Sequence, residues 1–200
     1  MRTVFRAEDP DVNAYRLLTA LVVPRPIAWI SSVDADGVGN LAPHSFFNVA
    51  CANPPIVSFA SVGGKDTLAN VEATGEFVVN LASEPLMRQV NDTSARFGPE
   101  VDEAEALGIV LEPSELVAPP RVVDSPASLE CVLHSTHELG DSTLVLGRVV
   151  ALTVRQEALV DGHPAVDRLR PVSRLGRDEC GLPPEVVSVR RPQRPEDVDH

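Results

Sequence analysis

The feature that most constrains the fold is a pair of long, valine-rich segments in the C-terminal half of the chain. Residues 128–138 and 143–154 are rich in β-branched side chains, and Gly140-Asp141 between them is typical of a hairpin turn. Shorter segments of the same type precede this pair, at residues 27–33, 39–50, 56–60 and 77–81. Short helices are expected after Lys65 and from Ser83, but without the regular strand-helix alternation of a parallel sheet. The sequence therefore predicts a mainly β protein, an antiparallel β-barrel with short peripheral helices.

Length and composition indicate one self-sufficient domain. A chain of 200 residues, 44% of them hydrophobic, is long enough to bury a core without a metal or a disulfide. Residues 183–200 are instead rich in proline and charge and offer little to bury. We therefore predict a domain over residues 1–182 and a C-terminal tail over residues 183–200.

Charge and cysteine usage argue against several classes of function. The net charge is −12 and the basic residues are scattered, so neither nucleic acid nor an anionic membrane is an expected partner. No apolar run reaches the roughly 20 residues of a membrane span, and the N-terminus lacks the pattern of a secretory signal. The three cysteines are far apart, which suits reduced, buried thiols in a cytoplasmic protein. His134 and His137 are three apart in a predicted strand and point to opposite faces. His44 and His163 have no Cys or His at ligand spacing, so no metal site is expected.

Residues 61–67 have the composition of an anion-binding turn. Gly63 and Gly64 let backbone N–H groups converge, and a helix expected to begin at Asp66 or Thr67 adds its positive dipole. The hydroxyls of Ser61 and Thr67 are further donors, and Lys65 is the only lysine of the chain. The segment predicts a phosphate site, although a solvated loop ahead of a capped helix has the same composition.

A second candidate is the polar strand at residues 40–47, Asn-Leu-Ala-Pro-His-Ser-Phe-Phe. Small and polar residues bounded by aromatics leave backbone groups and the Ser45 hydroxyl available to a flat, polar ligand. An ordinary core strand is the alternative. The overlapping Gly37-Val38-Gly39 pattern is interpreted as a hairpin turn, because Pro43 follows where a dinucleotide motif needs a helix.

Six motifs, taken in order, resemble the flavin reductase-like family, which has the FMN-binding split barrel, and within it the flavoredoxin-like branch. They are Pro-Arg-Pro-Ile-Ala-Trp-Ile-Ser-Ser at 24–32, the strand at 40–47, Asn-Pro-Pro at 53–55, Lys-Asp-Thr-Leu-Ala-Asn at 65–70, Thr-Gly-Glu-Phe-Val-Val-Asn at 74–80 and Arg-Leu-Gly at 174–176. The resemblance spans residues 15–181. Near its end the chain has Arg177 and Cys180 where many relatives have glycine and tyrosine.

The resemblance implies a homodimer of six-stranded antiparallel barrels, each holding FMN near the dimer interface. In that arrangement Lys65, Asp66 and Thr67 bind the phosphate, with Ser58 and Ser61 beside it. The isoalloxazine ring is lined by Asn40, Ala42, His44 and Ser45. Ala28 and Trp29 contact the cofactor from the first strand, and Arg174 approaches it from the C-terminal segment.

The implied activity is transfer of hydride from NADH or NADPH to flavin. Reduced FMN or electrons then pass to a partner such as a monooxygenase. His44 and Ser45 are the candidate catalytic residues, with a structural role for His44 as the alternative. A second hypothesis is a non-enzymatic carrier that keeps FMN and has no nicotinamide step.

Overall fold

The computed structural model describes residues 1–194 and 197. Five α-helices lie among these residues: α1 Ala14–Leu21, α2 Asp66–Thr74, α3 Met87–Asp92, α4 Glu103–Ala106 and α5 Val166–Leu169. The strands of the same residues are β1 Arg25–Pro26, β2 Ala28–Val33, β3 Gly39–His44, β4 Phe47–Cys51, β5 Ile56–Val62, β6 Glu76–Leu81, β7 Leu111–Glu112, β8 Arg121–Val122, β9 Ala127–Leu139, β10 Ser142–Val154, β11 Leu159–Val160, β12 His163–Pro164, β13 Ser173–Arg174 and β14 Cys180–Gly181. Single 3-10 turns cover Glu84–Leu86 and Gln156–Ala158.

Seven strands form one antiparallel sheet in the order β3-β2-β6-β9-β10-β5-β4. Its first and last strands, β3 and β4, are consecutive in the chain and separated only by Ser45 and Phe46. The two edges of the sheet must therefore lie side by side. The Ala60 amide of β5 donates to the Phe46 carbonyl at 2.8 Å, which continues the β4–β5 pairing into this bend. The sheet closes on itself as a barrel at this bend, whereas the outer edge of β3 before the bend pairs with no strand of the described residues.

The barrel separates two hydrophobic cores. The interior core consists of residues such as Ile30, Phe59, Phe77 and Val145. The second core lies between the outer face of β2 and β3 and the peripheral helices, and it includes Trp29, Leu41, Leu86, Val90 and Ile109. Successive side chains of a strand point to opposite faces, so the neighbours Ala28 and Trp29 enter different cores.

The predicted fold class is confirmed, with one difference in strand number. The strand predicted at residues 39–50 is two strands, because the chain bends at Ser45 and Phe46 between β3 and β4. Counting this bent pair once gives the six strands that the resemblance implies. The predicted hairpin of residues 128–138 and 143–154 is the longest strand pair, β9 with β10.

Three helices were not predicted: α1, α4 and the single-turn α5. Helix α1 begins at Ala14 after its N-cap Asn13, whose side chain accepts from the Arg16 amide at 3.0 Å. Arg25 then donates to the carbonyls of Thr19 and Val22 at the end of this helix and to Leu175, which holds α1 on the barrel. Helix α4 lies in the acidic segment that follows α3, with Asp102 as its N-cap.

The described part of the C-terminal segment lies at the surface, whereas the three cysteines differ in exposure. Residues 184–194 are exposed and outside any helix or strand, whereas residues 195, 196 and 198–200 of the tail lie outside the described residues. The division at residue 182 stays a prediction. Cys131 is buried as expected, but Cys51 is half-buried and Cys180 is exposed, because β14 is a short strand at the edge of a small sheet. Within the described part of the chain, no helix has the length and apolar character to span a membrane.

Candidate functional site

Two adjoining pockets form one cleft along β3. The larger, of about 490 Å³, lies between the end of β3, the start of α2, the turn after α3 and Glu103 of α4. The second, of about 320 Å³, extends toward α1, α3 and β13. Pro43, Lys65 and Ser94 line both pockets, so a single elongated ligand can occupy them together. Both volumes lie within the usual range of small-molecule sites, about 300–1000 Å³.

The start of α2 borders the larger pocket and presents groups that favour anions. Lys65 is the N-cap residue, it is exposed, and it offers no side-chain cap to the first turn. The first amides of an α-helix have no partners within the helix, so this end presents donors and positive potential. The helix begins at Asp66 as predicted and ends at Gly75, whose φ of 75° is the left-handed conformation that glycine adopts freely. The cap, however, is Lys65 rather than Asp66 or Thr67.

The outer edge of β3 borders the cleft and is only partly available for a ligand. In the register of β2 with β3, Leu41 lies opposite Ser31, and its amide points away from β2. This amide donates to the Glu103 carboxylate at 2.8 Å. Pro43, two residues on, occupies an edge position where its missing N–H costs no ladder bond. The edge therefore offers carbonyl acceptors, and its Leu41 amide is already bound.

Glu103 and Asp66 are acidic groups that line the same pocket as Lys65. Burial raises the pKa of its carboxyl, the Leu41 and Glu103 amides oppose this shift, and Asp102 and Asp66 add to it. Because its pKa is raised, Glu103 is less ionised at a given pH and carries less negative charge. Arg96, from the turn after α3, lines the same pocket and supplies a second cation beside Lys65.

His44 lies beneath the cleft rather than in it. The residue is 4% exposed and lines neither pocket. Its Nε2 is 3.2 Å from the Thr67 hydroxyl, which also accepts from the Asn40 amide at 2.9 Å. The ring packs on Phe59 with 4.9 Å between centroids. Burial, reinforced by the Lys65 charge and opposed by a hydrogen bond with the Ala60 backbone, lowers the pKa of His44 to about 4.

The structure places Ala28 and Trp29 away from the cleft. Both are fully buried, and Trp29 donates from Nε1 to the Thr93 hydroxyl at 2.9 Å. Since the two side chains point to opposite faces of β2, they cannot both contact one ligand. Thr93 lines the larger pocket, so Trp29 acts on the cleft by holding the end of α3.

Ser58 and Ser61 do not lie together beside Lys65. They are three residues apart on β5 and therefore project from opposite faces of the strand. The Ser58 hydroxyl is directed to the Asn48 carbonyl at 3.4 Å, and Ser61 is fully buried with its hydroxyl 3.4 Å from the Gly63 carbonyl. Neither residue lines the cleft, and the expected pair of serine donors is not formed.

The smaller pocket contains the remaining predicted residues. Ser45 and Arg174 both line it, and Ser45 also lines a third, mostly apolar pocket of about 340 Å³ under α1. Arg174 is 3.6 Å from the Cys180 thiol and 3.7 Å from Asp178. Ser45 therefore lies where two pockets meet, at the bend between β3 and β4.

Several residues of the cleft were missed from the sequence. Three segments far apart in the chain supply them: Tyr15 from α1; Met87, Asn91, Ser94, Arg96 and Phe97 from α3 and its turn; and Glu103 from α4. No local pattern indicated them, because hydroxyl residues such as Thr93 and Ser94 at the end of a helix ordinarily bond nearby backbone carbonyls, as both do here.

The low pKa of His44 predicts a loss of stability in acid. The unfolded chain binds a proton at this residue below pH 6.5, whereas the folded chain binds one only near pH 4. Between these values the free energy of unfolding falls, by about 3 kcal/mol in total. Urea unfolding from pH 7 to 4 measures the loss, and the variant His44→Gln is expected to lack this part of it. If the free energy of unfolding fell equally with pH in both proteins, the loss could not be assigned to His44.

Fold and site together define an antiparallel barrel with a polar, anion-attracting cleft along one strand edge. The family described as "Flavin reductase like domain" matches residues 20–170, and the chain belongs to this family of flavin-binding oxidoreductases. The resemblance seen in the motifs is thereby confirmed.

Three relatives show what the chain is similar to. Nitrilotriacetate monooxygenase component B from Bacillus cereus superposes with a TM-score of 0.87 and 32% identity, covering 94% of this chain and 98% of that one. The 2-nitrobenzoate 2-nitroreductase NbaA of Pseudomonas fluorescens also has a TM-score of 0.87 and 32% identity, with 95% and 97% covered. The reductase subunit HsaB of a flavin-dependent monooxygenase from Mycobacterium tuberculosis is 33% identical over 159 residues, 80% of this chain and 76% of HsaB.

Proposed function

We propose that the protein binds FMN in the cleft and oxidises NADH or NADPH, supplying reduced FMN or electrons to a partner such as a monooxygenase. The observation that carries the proposal is the cleft itself. It joins the only lysine and the uncapped start of α2 to a polar strand edge, within a chain of the flavin reductase-like family. Bound FMN would supply the two-electron chemistry that accepts hydride from the nicotinamide.

Lys65 and the first amides of α2 are the groups that hold the phosphate. An ammonium group and a helix N-terminus both favour a dianion, and each charge-assisted bond is stronger than a neutral one. Arg96 lines the same pocket and adds a second positive charge. Asp66 lies in the same turn and contributes through its backbone amide, since its carboxylate repels an anion.

The strand edge of β3 and Ser45 serve the flat ring. Ala42 and Pro43 line the cleft, and an outward carbonyl of this edge accepts from an N–H of the ring. The Ser45 hydroxyl lies at the junction of two pockets and both donates and accepts, so it is our candidate for orienting the reacting edge. Arg174 lies in the smaller pocket, where it favours an anionic group of either substrate.

We further propose that the protein is a homodimer and works in the cytoplasm. Exposed apolar side chains lie on neighbouring elements: Leu18 and Leu21 of α1, its C-cap Val22, and Val49 of β4. A patch of this kind on a compact protein marks an interaction surface, and a second copy is the partner that the family resemblance suggests. The three free cysteines suit a reducing compartment.

Two measurements on the purified protein test the proposed function. Titration with FMN, followed by quenching of flavin fluorescence, is expected to show saturable binding. Steady-state oxidation of NADH and NADPH with added FMN is expected to show turnover with at least one nucleotide. If the protein does not bind FMN, the proposal is wrong. If it binds FMN but oxidises neither nucleotide, it is a non-enzymatic FMN carrier instead. Sedimentation equilibrium of the same preparation measures the mass, for which a dimer is expected.

A further inference from the structure

Buried polar side chains at the floor of the cleft form a chain of hydrogen bonds between β3 and α2. Asn40 and His44 project from the same face of β3, Thr67 lies in the first turn of α2, and Ala60 lies on β5. All three polar side chains are buried, with Thr67 fully so. Buried polar groups are costly when unpaired, so the direction of each hydrogen bond in this cluster is constrained.

Counting donors and acceptors orients this cluster. A neutral imidazole has one N–H and one lone pair, and a backbone carbonyl only accepts. The His44 ring faces the Thr67 hydroxyl at 3.2 Å with Nε2, and its other side lies toward the Ala60 backbone. Asn40 Nδ2 donates to the same Thr67 oxygen at 2.9 Å and leaves the hydroxyl proton free to point at His44.

We infer that His44 is a positioning residue: Nδ1–H donates to the Ala60 carbonyl, Nε2 accepts the Thr67 hydroxyl proton, and this fixes the start of α2 against β3 and β5. The phosphate-binding amides of α2 then have a defined place relative to the strand edge. The Thr67 hydroxyl is directed inward, so Thr67 serves a bound anion through its backbone amide alone. The consequence for cofactor affinity rests on the function proposed above, whereas the bonding pattern does not.

Neutrality of the ring is a condition of this arrangement. A protonated imidazole donates from both nitrogens and could not accept the Thr67 proton. The elements packed around the ring bring one charged group to it, the Lys65 ammonium, together with the neutral Phe59, Thr67 and Asn40. Lys65 and burial act in the same direction and keep the ring neutral.

Threonine variants test the inference with matched chemistry. Thr67→Val removes the hydroxyl, Thr67→Ser keeps it, and Thr74→Val makes the same change at the far end of α2, where the hydroxyl bonds only the Asn70 carbonyl. We expect Thr67→Val to weaken FMN binding about tenfold, and the other two variants to stay within about twofold of the natural protein. Hydrogen exchange at the Leu68 and Ala69 amides, which donate to the Lys65 carbonyl at the start of α2, is expected to be faster in Thr67→Val alone. Unchanged exchange in Thr67→Val would overturn the positioning role.

Two further measurements separate positioning from catalysis and from failure of the proposed function. In the apo protein, long-range 1H–15N spectra are expected to show the Nδ1–H tautomer of His44 at pH 7, and an Nε2–H tautomer would overturn the inference. This result does not depend on flavin.

The second measurement is steady-state kinetics of His44→Gln. With saturating FMN, the variant is expected to keep turnover within about threefold and to raise only the KM for FMN, because loss of a catalytic acid costs about 100-fold or more. A loss of that size in turnover would contradict the positioning role.

Discussion

Trp29→Ala is expected to lower the free energy of unfolding by about 3–5 kcal/mol, the range for removing a large buried aromatic side chain. Trp29 is fully buried in the core beneath the helices, where it packs with Leu41 and Val90. Its indole also donates to Thr93, which in turn donates to the Val90 carbonyl at 3.0 Å. The variant loses packing and leaves the end of α3 unattached. Urea unfolding measures the change.

Trp29→Phe separates the contribution of packing from that of the hydrogen bond to Thr93. Phenylalanine keeps most of the packing and loses the bond to Thr93, for which a cost of about 1–3 kcal/mol is expected. If Trp29 instead contacted the cofactor, both variants would weaken FMN binding while unfolding at nearly the same urea concentration as the natural protein. That pattern would restore the contact role that the resemblance implies.

The fold was predictable because its signals are local. Alternation and β-branched composition located the strands, Gly140-Asp141 located the long hairpin, and Gly75 marked the end of α2. Helix α1 was not predictable in the same way, because its attachment depends on Arg25 and on Leu175, 150 residues later. The bend at Ser45 and Phe46 likewise depends on closure of the barrel, which no short segment of sequence encodes.

The site was predictable where it is one continuous segment. Lys65 at the start of α2 and the strand of residues 40–47 do lie at one cleft, as both patterns suggested. Serines 58 and 61 were misplaced, because strand alternation turns residues of odd spacing to opposite faces. Glu103 and Arg96 could not be found from local pattern, since only folding brings the acidic segment after α3 to the edge of β3.

Lys65→Ala is expected to weaken FMN binding by about 1–3 kcal/mol, or roughly 5- to 150-fold in Kd. Lys65 is the exposed N-cap of α2, lines both pockets of the cleft and is the only lysine of the chain. Fluorescence titration measures the Kd. The effect is expected to shrink as salt is raised, because the lost attraction is between exposed charges. An unchanged Kd would reject Lys65 as the phosphate ligand.

Two companion variants make the Lys65 result specific. Arg88→Ala removes the same charge from an exposed position of α3 outside the cleft, and it is expected to leave the Kd unchanged. Lys65→Arg keeps the charge and is expected to retain most of the affinity for FMN.

The pKa of His44 gives a second measurement that needs no flavin, because the Lys65 charge lowers this pKa. In Lys65→Ala the pKa of His44 should rise, and NMR titration showing this while the Kd stays constant would place Lys65 beside His44 but remove it from the phosphate site.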